Sequence, residues 1–532
     1  MTCCDRRLHL GLTGSVCPVC LATIPAERCA EGDTVYLKKT CPVHGTTSTP
    51  VWRGLESYLR WGNAPRAFSQ PPVCATEVER GCPYDCGLCP DHRQQSCCVL
   101  LEVTSRCDLA CPVCYASASR QGADASQAEI GGWLDTLAVS SGGRVHIQLS
   151  GGEPTVRDDL PEIVALVRSR GFEFVQLNTN GVRIAREPEY LAALAKAGLD
   201  CVFLQFDGIN DDVYQRLRGA KLMRLKTQAI RNCGQAGIGV VLTPTLVPGV
   251  NVDQIGAIVD FAIAETPAVR AVHFQPVSYF GRCLTPPENA SRITLPEVME
   301  ALIAHGGGTI QHGDFHPGSA ENPYCSFSGR FVIGEDGRLR ATGEEPQSCC
   351  GVPAKKESSA CCGVPAKQES EGFCIAPAEK ESTSCRGAPA KQESAGCCGG
   401  PVEQETPASC SAPANQDSPA NSGPAPPSAE VARERRYVAG QWTRPDRRIR
   451  DVAGLDAFDT FLAEQSRTLG LSGMAFQDAW TLDTERLRQC HIHVVAPDRR
   501  IIPFCAYNLT DSDGRALYRP NRPAGGEEPD ET

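Results

Sequence analysis

Short apolar runs alternate with amphipathic stretches between residues 98 and 280. The apolar runs predict six β-strands, at residues 99–104, 145–150, 174–178, 201–206, 240–246 and 271–276. The stretches between them carry apolar residues at helical spacing, as at 160–169, and most end near a glycine such as Gly198. Strands that alternate with helices predict a parallel α/β fold, with functional residues in the loops that follow the strands.

The N-terminal segment has a different pattern, in which a short predicted strand at residues 34–39 separates two pairs of metal-binding residues. Cys17 and Cys20 precede this strand in a CPVC motif, and Cys41 and His44 follow it in a CPVHG motif. Two such motifs that face each other across a hairpin place four soft ligands in tetrahedral reach. We therefore expect residues 1–60 to hold one mononuclear zinc or iron ion, in a zinc-ribbon or rubredoxin-like module. Residues 61–97 then form a connector.

Six tandem units of twelve residues, rich in cysteine and proline, occupy residues 348–419. They have no apolar periodicity and cannot bury enough surface to offset the entropy lost on ordering. We therefore expect residues 343–430 to be disordered, and also the tail at 516–532. The repeats are either a low-complexity insertion or a thiol-rich segment that sequesters a soft metal or metalloid.

Composition narrows the function classes. The chain of 532 residues has a formal charge of −11 and no block of Lys and Arg, which argues against nucleic acid as a partner. No apolar run is long enough to span a membrane and the N-terminus lacks the apolar centre of a signal peptide, so we expect a cytoplasmic protein. In that reducing compartment, 30 cysteines indicate metal ligands or reactive thiols rather than disulfides.

The strongest chemical signal directly follows the first predicted strand of the α/β region. There, Cys107, Cys111 and Cys114 are separated by three and then two residues. One loop thus offers three thiolates to a single inorganic cluster, and a 4Fe-4S cluster bound by three cysteines leaves one iron open to a chelating small molecule. The alternative is a tetrahedral zinc ion, which needs a fourth ligand that this motif does not supply.

This loop resembles the cluster-binding loop of the radical S-adenosylmethionine (SAM) superfamily. The resemblance implies that Cys107, Cys111 and Cys114 hold the catalytic 4Fe-4S cluster. It implies that SAM occupies the open iron and is cleaved to a 5′-deoxyadenosyl radical. It also implies that the six strand–helix units form the partial (β/α)6 barrel of that superfamily over residues 98–280.

Polar residues at the ends of the next predicted strands match the SAM-binding positions of the superfamily. A GGEP motif directly follows the second strand. The resemblance implies that its glycines let backbone approach SAM and that its backbone and glutamate meet the amino group of SAM. The residues expected to bind SAM are Tyr115, Ser150, Gly151, Gly152, Glu153, Pro154, Asn178, Thr179, Asn180, Gln205 and Asp207. For Gln205 and Gln275, substrate contact and a buried structural role both remain open.

Two further sets of cysteines predict auxiliary clusters. Cys82, Cys86 and Cys89 repeat the spacing of the first set but precede the strand, and they are assigned to an auxiliary 4Fe-4S cluster. The fourth ligand is Cys97, Cys98 or a distant cysteine, and a zinc site with one such cysteine is the alternative. The second set lies in a C-terminal α+β domain expected over residues 281–342 and 431–515, and consists of Cys325, Cys490 and Cys505. Its alternative is three buried apolar side chains.

Four longer sequence segments make the resemblance to the superfamily more specific. They are CPYDCGLCPDH, LLEVTSRCDLACPVCYA, HFQPVSYFGR and CHIHVVAPDRRIIPFCAYN. They resemble the radical SAM subgroup that contains archaeal tetraether lipid synthases and the enzymes that methylate the pterin of methanopterin. The subgroup implies one or two auxiliary 4Fe-4S clusters and an electron donor of the flavodoxin or ferredoxin type. It also implies methyl transfer or carbon–carbon bond formation on a small molecule or a lipid.

Two other functions stay open at this point. A SPASM-like radical SAM enzyme would modify a peptide or a metalloid and use the repeats as carrier or sensor. A thiol-rich metal-binding or metalloid-binding protein would explain the repeats, but it would not explain a GGEP motif at a strand end.

Overall fold

The computed structural model describes residues 7–63, 68–141, 145–282, 287–318, 320–342 and 467–519, together with positions 432, 435, 436, 439, 440, 442 and 443. The repeats at 348–419 and the disorder expected over 343–430 therefore lie outside the described residues. Within the described ranges, no helix is long and apolar enough to cross a membrane.

A four-stranded antiparallel sheet forms the N-terminal part of the protein, in the order β1-β2-β3-β4. Its strands are β1 (Leu8–Val16), β2 (Thr23–Glu31), β3 (Thr34–Cys41) and β4 (Gly45–Arg53), and helix α1 (Leu55–Trp61) follows. The strand predicted at 34–39 is β3. In such a meander the first and third turns lie at the same end of the sheet, and these are the turns that carry the two predicted ligand pairs.

A larger sheet contains the predicted α/β region. Its parallel strands are β5 (Cys98–Thr104), β6 (His146–Gly151), β7 (Val175–Thr179), β8 (Cys201–Gln205), β9 (Gly239–Thr243) and β11 (Val269–Pro276). The helices between and after them are α2 (Gln127–Ser140), α3 (Leu160–Ser169), α4 (Val182–Arg186), α5 (Pro188–Ala197), α6 (Asp211–Arg218), α7 (Met223–Gln235), α8 (Ile255–Ala264) and α9 (Leu295–Gly306). The six predicted strands and the parallel α/β class are confirmed.

The strand predicted at 240–246 is divided in two by Pro244. After β9, the short strand β10 (Thr245–Leu246) leaves β8 and pairs only with β11. Proline has no N–H to donate to a neighbouring strand, but the Pro244 carbonyl still accepts a hydrogen bond of 2.9 Å from the Gln275 N–H. The break therefore occurs at the carboxyl end of the sheet, where the loops of the site begin.

The C-terminal strands extend the barrel sheet on both edges and do not build a separate one. They are β12 (Ser326–Ile333), β13 (Leu339–Ala341), β14 (Thr468–Met474), β15 (Ile492–Val495) and β16 (Ile501–Pro503). β14 pairs in parallel with β11, and β15 pairs in parallel with β5. The sheet therefore crosses the boundary expected near residue 280, since the segments beyond it supply the edge strands.

Side chains alternate across the barrel strands. On β6, Ile147 and Leu149 are fully buried in the apolar core, whereas His146, Gln148 and Ser150 line an internal cavity. Successive side chains of a strand point to opposite faces, so one face packs under the helices and the other faces the barrel interior. The hydrophobic core thus lies between the sheet and the helices, and the polar side chains of the strands face the cavity inside the barrel.

The chain remains packed beyond residue 515, where we expected a disordered tail. Tyr518 Oη donates a hydrogen bond of 2.7 Å to the Pro83 carbonyl, and Arg519 forms an ion pair with Glu102. The Arg519 guanidinium also donates to Asn508 Oδ1 at 2.8 Å. The expectation of disorder is therefore wrong for residues 516–519, because a half-buried carboxylate on β5 provides a partner for this arginine.

Candidate active site

A cavity of about 360 Å³ runs through the barrel from the carboxyl ends of the strands to their first residues. Its volume lies in the usual range of small-molecule sites, roughly 300–1,000 Å³. The three cysteines of the 107–114 loop line it, as do most of the residues predicted to bind SAM. Those on the cavity wall are Tyr115, Ser150, Gly151, Gly152, Glu153, Asn178, Thr179, Asn180 and Gln205. Pro154 and Asp207 lie outside the lining.

The cysteine loop is held by a residue that the sequence analysis did not single out. Arg282 follows β11, and its backbone exchanges two hydrogen bonds with Cys114, at 3.0 and 3.1 Å. Its Nε also donates to the Cys111 carbonyl at 2.9 Å. Arg282 therefore fixes the second and third cysteines of the loop. The only sequence signal was its place in the GR dipeptide that ends the HFQPVSYFGR string.

Burial opposes ionisation of two cysteines in this loop, Cys107 and Cys111. Burial raises the pKa of the Cys107 thiol to about 12 and also raises the pKa of Cys111. Arg218 opposes this effect at Cys111, where its guanidinium favours the thiolate. One buried and two half-buried thiols beside one guanidinium fit a cationic metal cluster, because bound metal ions stabilise coordinating thiolates.

Asp207 acts on the loop indirectly. Its carboxylate and the Arg218 guanidinium form two parallel hydrogen bonds of 2.7 Å, and both side chains are almost fully buried. Arg218 Nη1 then reaches the Val113 carbonyl at 3.4 Å. The structure thus places Asp207 behind the cluster loop, as the counter-charge of Arg218, and not on the cavity wall where we expected it to contact SAM.

The glycines of the GGEP motif allow two loops to touch. The N–H of Gly152 donates to the Thr104 carbonyl and the N–H of Glu153 to the Arg106 carbonyl, both at 2.8 Å. A Cβ at Gly152 would lie 2.7 Å from the Arg106 carbonyl carbon and closer still to its oxygen, which real Cβ atoms do not allow. Gly151 has a positive φ of 126° and is equally crowded by Thr104. Close approach to the cysteine loop explains both glycines.

Glu153 ties this motif to the next strand. Its buried carboxylate accepts hydrogen bonds from Thr155 Oγ1 at 2.6 Å, from Thr179 Oγ1 at 2.7 Å and from the Asn180 N–H at 2.6 Å. Burial and the nearby charge of Asp108 raise the pKa of Glu153. The carboxylate is therefore used to position the loops after β6 and β7.

A buried lysine, Lys226, donates a hydrogen bond to the loop that follows β7. Lys226 Nζ donates to the Asn180 carbonyl at 2.6 Å and lies 3.4 Å from Gln205 Oε1. Burial lowers the pKa of Lys226 to about 8. It holds two of the predicted SAM-binding residues, Asn180 and Gln205, in fixed positions at the ends of β7 and β8.

The deep part of the cavity is lined by polar side chains that the sequence analysis did not predict. Gln148 Nε2 donates to Asn178 Oδ1 at 2.6 Å, and His273 Nδ1 lies 2.9 Å from Ser472 Oγ. His146 Nδ1 has no hydrogen-bond partner among the described residues. Burial lowers the pKa of His146 to about 3 and that of His273 to about 4, so both imidazoles are neutral. Trp442 packs edge to face on Phe203 at this end.

The structure brings the second cysteine set together outside the cavity lining. Cys82 interacts with Cys86, whose hydrogen bond lowers the pKa of the Cys82 thiol to about 7 with further help from Arg488. Cys86 and Cys89 are buried and both respond to the charge of Cys82.

The third cysteine set is assembled from three distant segments. Cys490 and Cys505 are each influenced by the charge of Cys325, and burial raises the pKa of all three thiols. Arg486 Nη2 lies 3.5 Å from Cys325 Sγ. Arg486 and the Arg488 beside Cys82 both belong to one short helix, Thr484–Arg488, which therefore supplies one guanidinium to each set.

The N-terminal ligand pairs converge as well. The ligand atoms of Cys17, Cys20, Cys41 and His44 all lie within 4.8 Å of one another, a spacing suited to one metal ion. The backbone N–H groups of Val43 and His44 lower the pKa of Cys41 to about 6, so that this thiol is largely ionised at neutral pH.

The fold and the site together define a radical SAM enzyme. The sequence profile of the radical SAM superfamily matches residues 101–262, and that of the HMPTM N-terminal zinc ribbon domain matches residues 9–53. The 7,8-dihydro-6-hydroxymethylpterin dimethyltransferase of Methanocaldococcus jannaschii is 33% identical over 522 residues, which are 93% of this chain and 93% of that one. The chain belongs to the family of this dimethyltransferase, within the radical SAM superfamily.

Two further similarities are weaker. A probable GTP 3′,8-cyclase of Methanothermobacter thermautotrophicus is 28% identical over 259 residues, covering 45% of this chain and 82% of that one. Streptococcus suis SuiB bound to S-adenosylmethionine aligns with a TM-score of 0.32 at 15% identity, over 40% of this chain and 48% of that one. The resemblance to the superfamily and to its pterin-methylating members is confirmed by the family match, and the alternative of a non-enzymatic thiol-rich protein is wrong for the chain as a whole.

Proposed function

We propose that this enzyme transfers methyl groups to a carbon atom of a pterin-like heterocycle. The observation that carries the proposal is that one cavity connects the three cysteines of the 107–114 loop with a deep wall of polar side chains. The family relationship supports the reaction class, since the relative at 33% identity is a pterin dimethyltransferase.

The residues around the 107–114 loop suit a cluster and SAM. When bound, the 4Fe-4S cluster and SAM supply hydrogen abstraction from an unactivated carbon and a methyl donor. Cys107, Cys111 and Cys114 are the proposed ligands. Arg282 and Arg218 keep the loop in place, and the backbone at Gly152 holds the SAM-binding side of the cavity against it.

The deep wall favours a heterocycle over a lipid chain. Gln148, Gln176, His146 and His273 present amide and imidazole groups to the cavity. An alkyl chain placed there could not pair with the polar atoms that the described protein leaves without a partner, such as His146 Nδ1, and each such atom costs about 1–3 kcal/mol. A neutral imidazole offers one donor and one acceptor, and so does each amide edge of a pterin ring. The wall is therefore complementary to a flat, polar ligand.

We assign the two other cysteine sets to auxiliary clusters. Cys82, Cys86 and Cys89 form the first proposed site, and a second consists of Cys325, Cys490 and Cys505. An arginine of the helix Thr484–Arg488 lies beside each, which favours the thiolate form of the ligands. We propose that these clusters pass electrons from a flavodoxin- or ferredoxin-type donor. The N-terminal site, with its histidine ligand and zinc-ribbon match, is proposed to hold zinc as a structural ion.

The test uses anaerobically reconstituted protein with dithionite, SAM carrying a labelled methyl group, and 6-hydroxymethyl-7,8-dihydropterin. We expect 5′-deoxyadenosine and labelled pterin from the wild type, and neither from Cys111→Ala. Cys233→Ala is the matched control, because Cys233 is a buried core residue on α7. Persistent 5′-deoxyadenosine in Cys111→Ala would refute the cluster assignment, and SAM cleavage without pterin labelling would refute the substrate. Iron that remains in a Cys107/Cys111/Cys114 triple Ala variant would support the auxiliary clusters.

A further inference from the structure

One buried carboxylate on the cavity wall has an unused oxygen. Glu321 is 8% exposed, and the hydroxyl of Ser326 donates to its Oε1. Its Oε2 accepts no hydrogen bond from the described residues. His491 Nδ1 lies 3.3 Å from that oxygen, yet it too makes no hydrogen bond within the described part of the chain. A buried carboxylate oxygen without a donor is costly, so its retention calls for a ligand.

Glu321 is held where the two edges of the barrel sheet meet. It precedes β12, whereas His491 precedes β15 at the opposite end of the strand order. Neighbouring contacts fix this junction, since Asn322 Nδ2 donates to Gln489 Oε1 at 3.1 Å and Gln94 Nε2 donates to the Ala320 carbonyl. Both Glu321 and His491 line the cavity that reaches the cysteine loop. The free oxygen therefore belongs to the same chamber as the proposed reaction centre.

We propose that Glu321 binds the aminopyrimidinone edge of the substrate, by accepting hydrogen bonds from its ring N–H and its exocyclic amino group. This inference rests on the proposed function and adds the residue that recognises the heterocycle. Two adjacent N–H donors match the two oxygens of a carboxylate, as in an arginine–carboxylate pair. Oε1 keeps the Ser326 hydroxyl on one lone pair and has a second available, and Oε2 is free.

Guanine nucleotides have the same aminopyrimidinone edge as a pterin, but the described lining of the cavity lacks the positive charges that their phosphates need. Its lining contains one arginine, Arg218, and no lysine among the described residues. The Arg218 guanidinium is already paired with Asp207. A triphosphate would enter without cations to neutralise it, which costs far more than the base edge gains. A neutral pterin has no such penalty.

The experiment is anaerobic calorimetry of the reconstituted protein with SAM present. The ligands are 6-hydroxymethyl-7,8-dihydropterin, its analogue with oxygen in place of the exocyclic amino group, and guanosine triphosphate. We expect Glu321→Gln to weaken dihydropterin binding at least tenfold, because an amide offers one acceptor where the carboxylate offers two. Glu335→Gln removes an equal charge at an exposed position between β12 and β13 and should bind like the wild type. The wild type should bind the oxo analogue at least tenfold more weakly than the dihydropterin, and Glu321→Gln should discriminate less than threefold.

Unchanged dihydropterin affinity in Glu321→Gln would overturn the inference and leave the proposed function standing. If Glu321→Gln loses iron or SAM binding, the inference is tested by the wild type alone. Equal affinity of the wild type for the dihydropterin and for its oxo analogue would then overturn the inference. Failure of the wild type to bind any of the three ligands would overturn the proposed substrate class and the inference together. Tighter binding of guanosine triphosphate that still depends on Glu321 would support recognition of the edge and refute the pterin.

Discussion

Substitution of Gly152 by alanine should disable SAM cleavage without touching any ligand of the cluster. The residue is the second glycine of GGEP, and it packs on the backbone that leads into Cys107. A Cβ at this position would lie 2.7 Å from the Arg106 carbonyl carbon and 3.1 Å from that of Ser105. Carbon atoms in good contact are about 3.5–4.0 Å apart, so the two loops must separate by about 1 Å.

This separation has two energetic consequences. It stretches the hydrogen bonds from the Gly152 and Glu153 N–H groups, both 2.8 Å long, and each contributes about 0.5–1.5 kcal/mol to stability. It also moves Arg106 and hence Cys107, the next residue and first proposed ligand. A misplacement of about 1 Å at a reacting centre costs on the order of 100-fold in rate. We therefore expect Gly152→Ala to lose about 1–3 kcal/mol of stability and about 100-fold in 5′-deoxyadenosine formation.

The assay is single-turnover SAM cleavage under dithionite, with iron content and unfolding temperature measured on the same samples. Gly131→Ala is the matched control, since this α2 glycine has only the flexible end of Arg170 at 3.4 Å from a new Cβ. Alanine there should add up to about 1 kcal/mol of helix stability and leave cleavage unchanged. If Gly152→Ala cleaves SAM at the wild-type rate, the crowding at Arg106 does not set the position of Cys107.

Three other predictions follow from buried charges and thiols. Asp207→Asn should cost about 3–5 kcal/mol by leaving the Arg218 guanidinium buried without its counter-charge, and adding Arg218→Met should restore much of the unfolding temperature. A double variant no more stable than Asp207→Asn would contradict this. Burial lowers the pKa of His273 to about 4 in the folded protein. The contribution of neutral His273 to stability is therefore complete above the unfolded-state pKa of about 6.5 and is lost as the pH decreases. The wild type should lose about 1.3 kcal/mol more than His273→Asn between about pH 7.5 and pH 5.5, as seen by urea unfolding, and equal losses would refute it. With the pKa of Cys41 near 6, zinc followed with a chromogenic chelator should be released as pH falls below about 6, and Cys41→Ser should release it at higher pH. Release of zinc at the same pH from the wild type and from Cys41→Ser would contradict the assignment of Cys41.

Local sequence patterns predicted much of the fold. The six barrel strands form where apolar runs indicated them, because parallel strands covered by helices are rich in Val, Leu and Phe. Helix α3 has the predicted bounds 160–169. The ligand spacings at Cys17 and at Cys107 are also local, since each motif lies in one turn or one loop.

Contacts between distant segments could not be predicted in this way. Arg282 clamps Cys111 from 171 residues away, and Glu321 meets His491 only because the two sheet edges come together. The polar wall escaped notice because His146 and Gln148 alternate with core residues inside a run that reads as apolar. Asp207 was placed on the cavity wall because its position at a strand end is all that the sequence shows, whereas its partner Arg218 lies one helix further on.

In the sequence, the repeats fall between β13 and β14. Ala341 on β13 and Leu469 on β14 pair with Phe331 of β12 from its two sides. Strands in a sheet are about 4.8 Å apart, so the described ends of the insertion lie about 10 Å from each other. The register of β12 with β14 is set by pairs between the described strands themselves, and it fixes the position of Ser326, which donates to Glu321 at the start of β12.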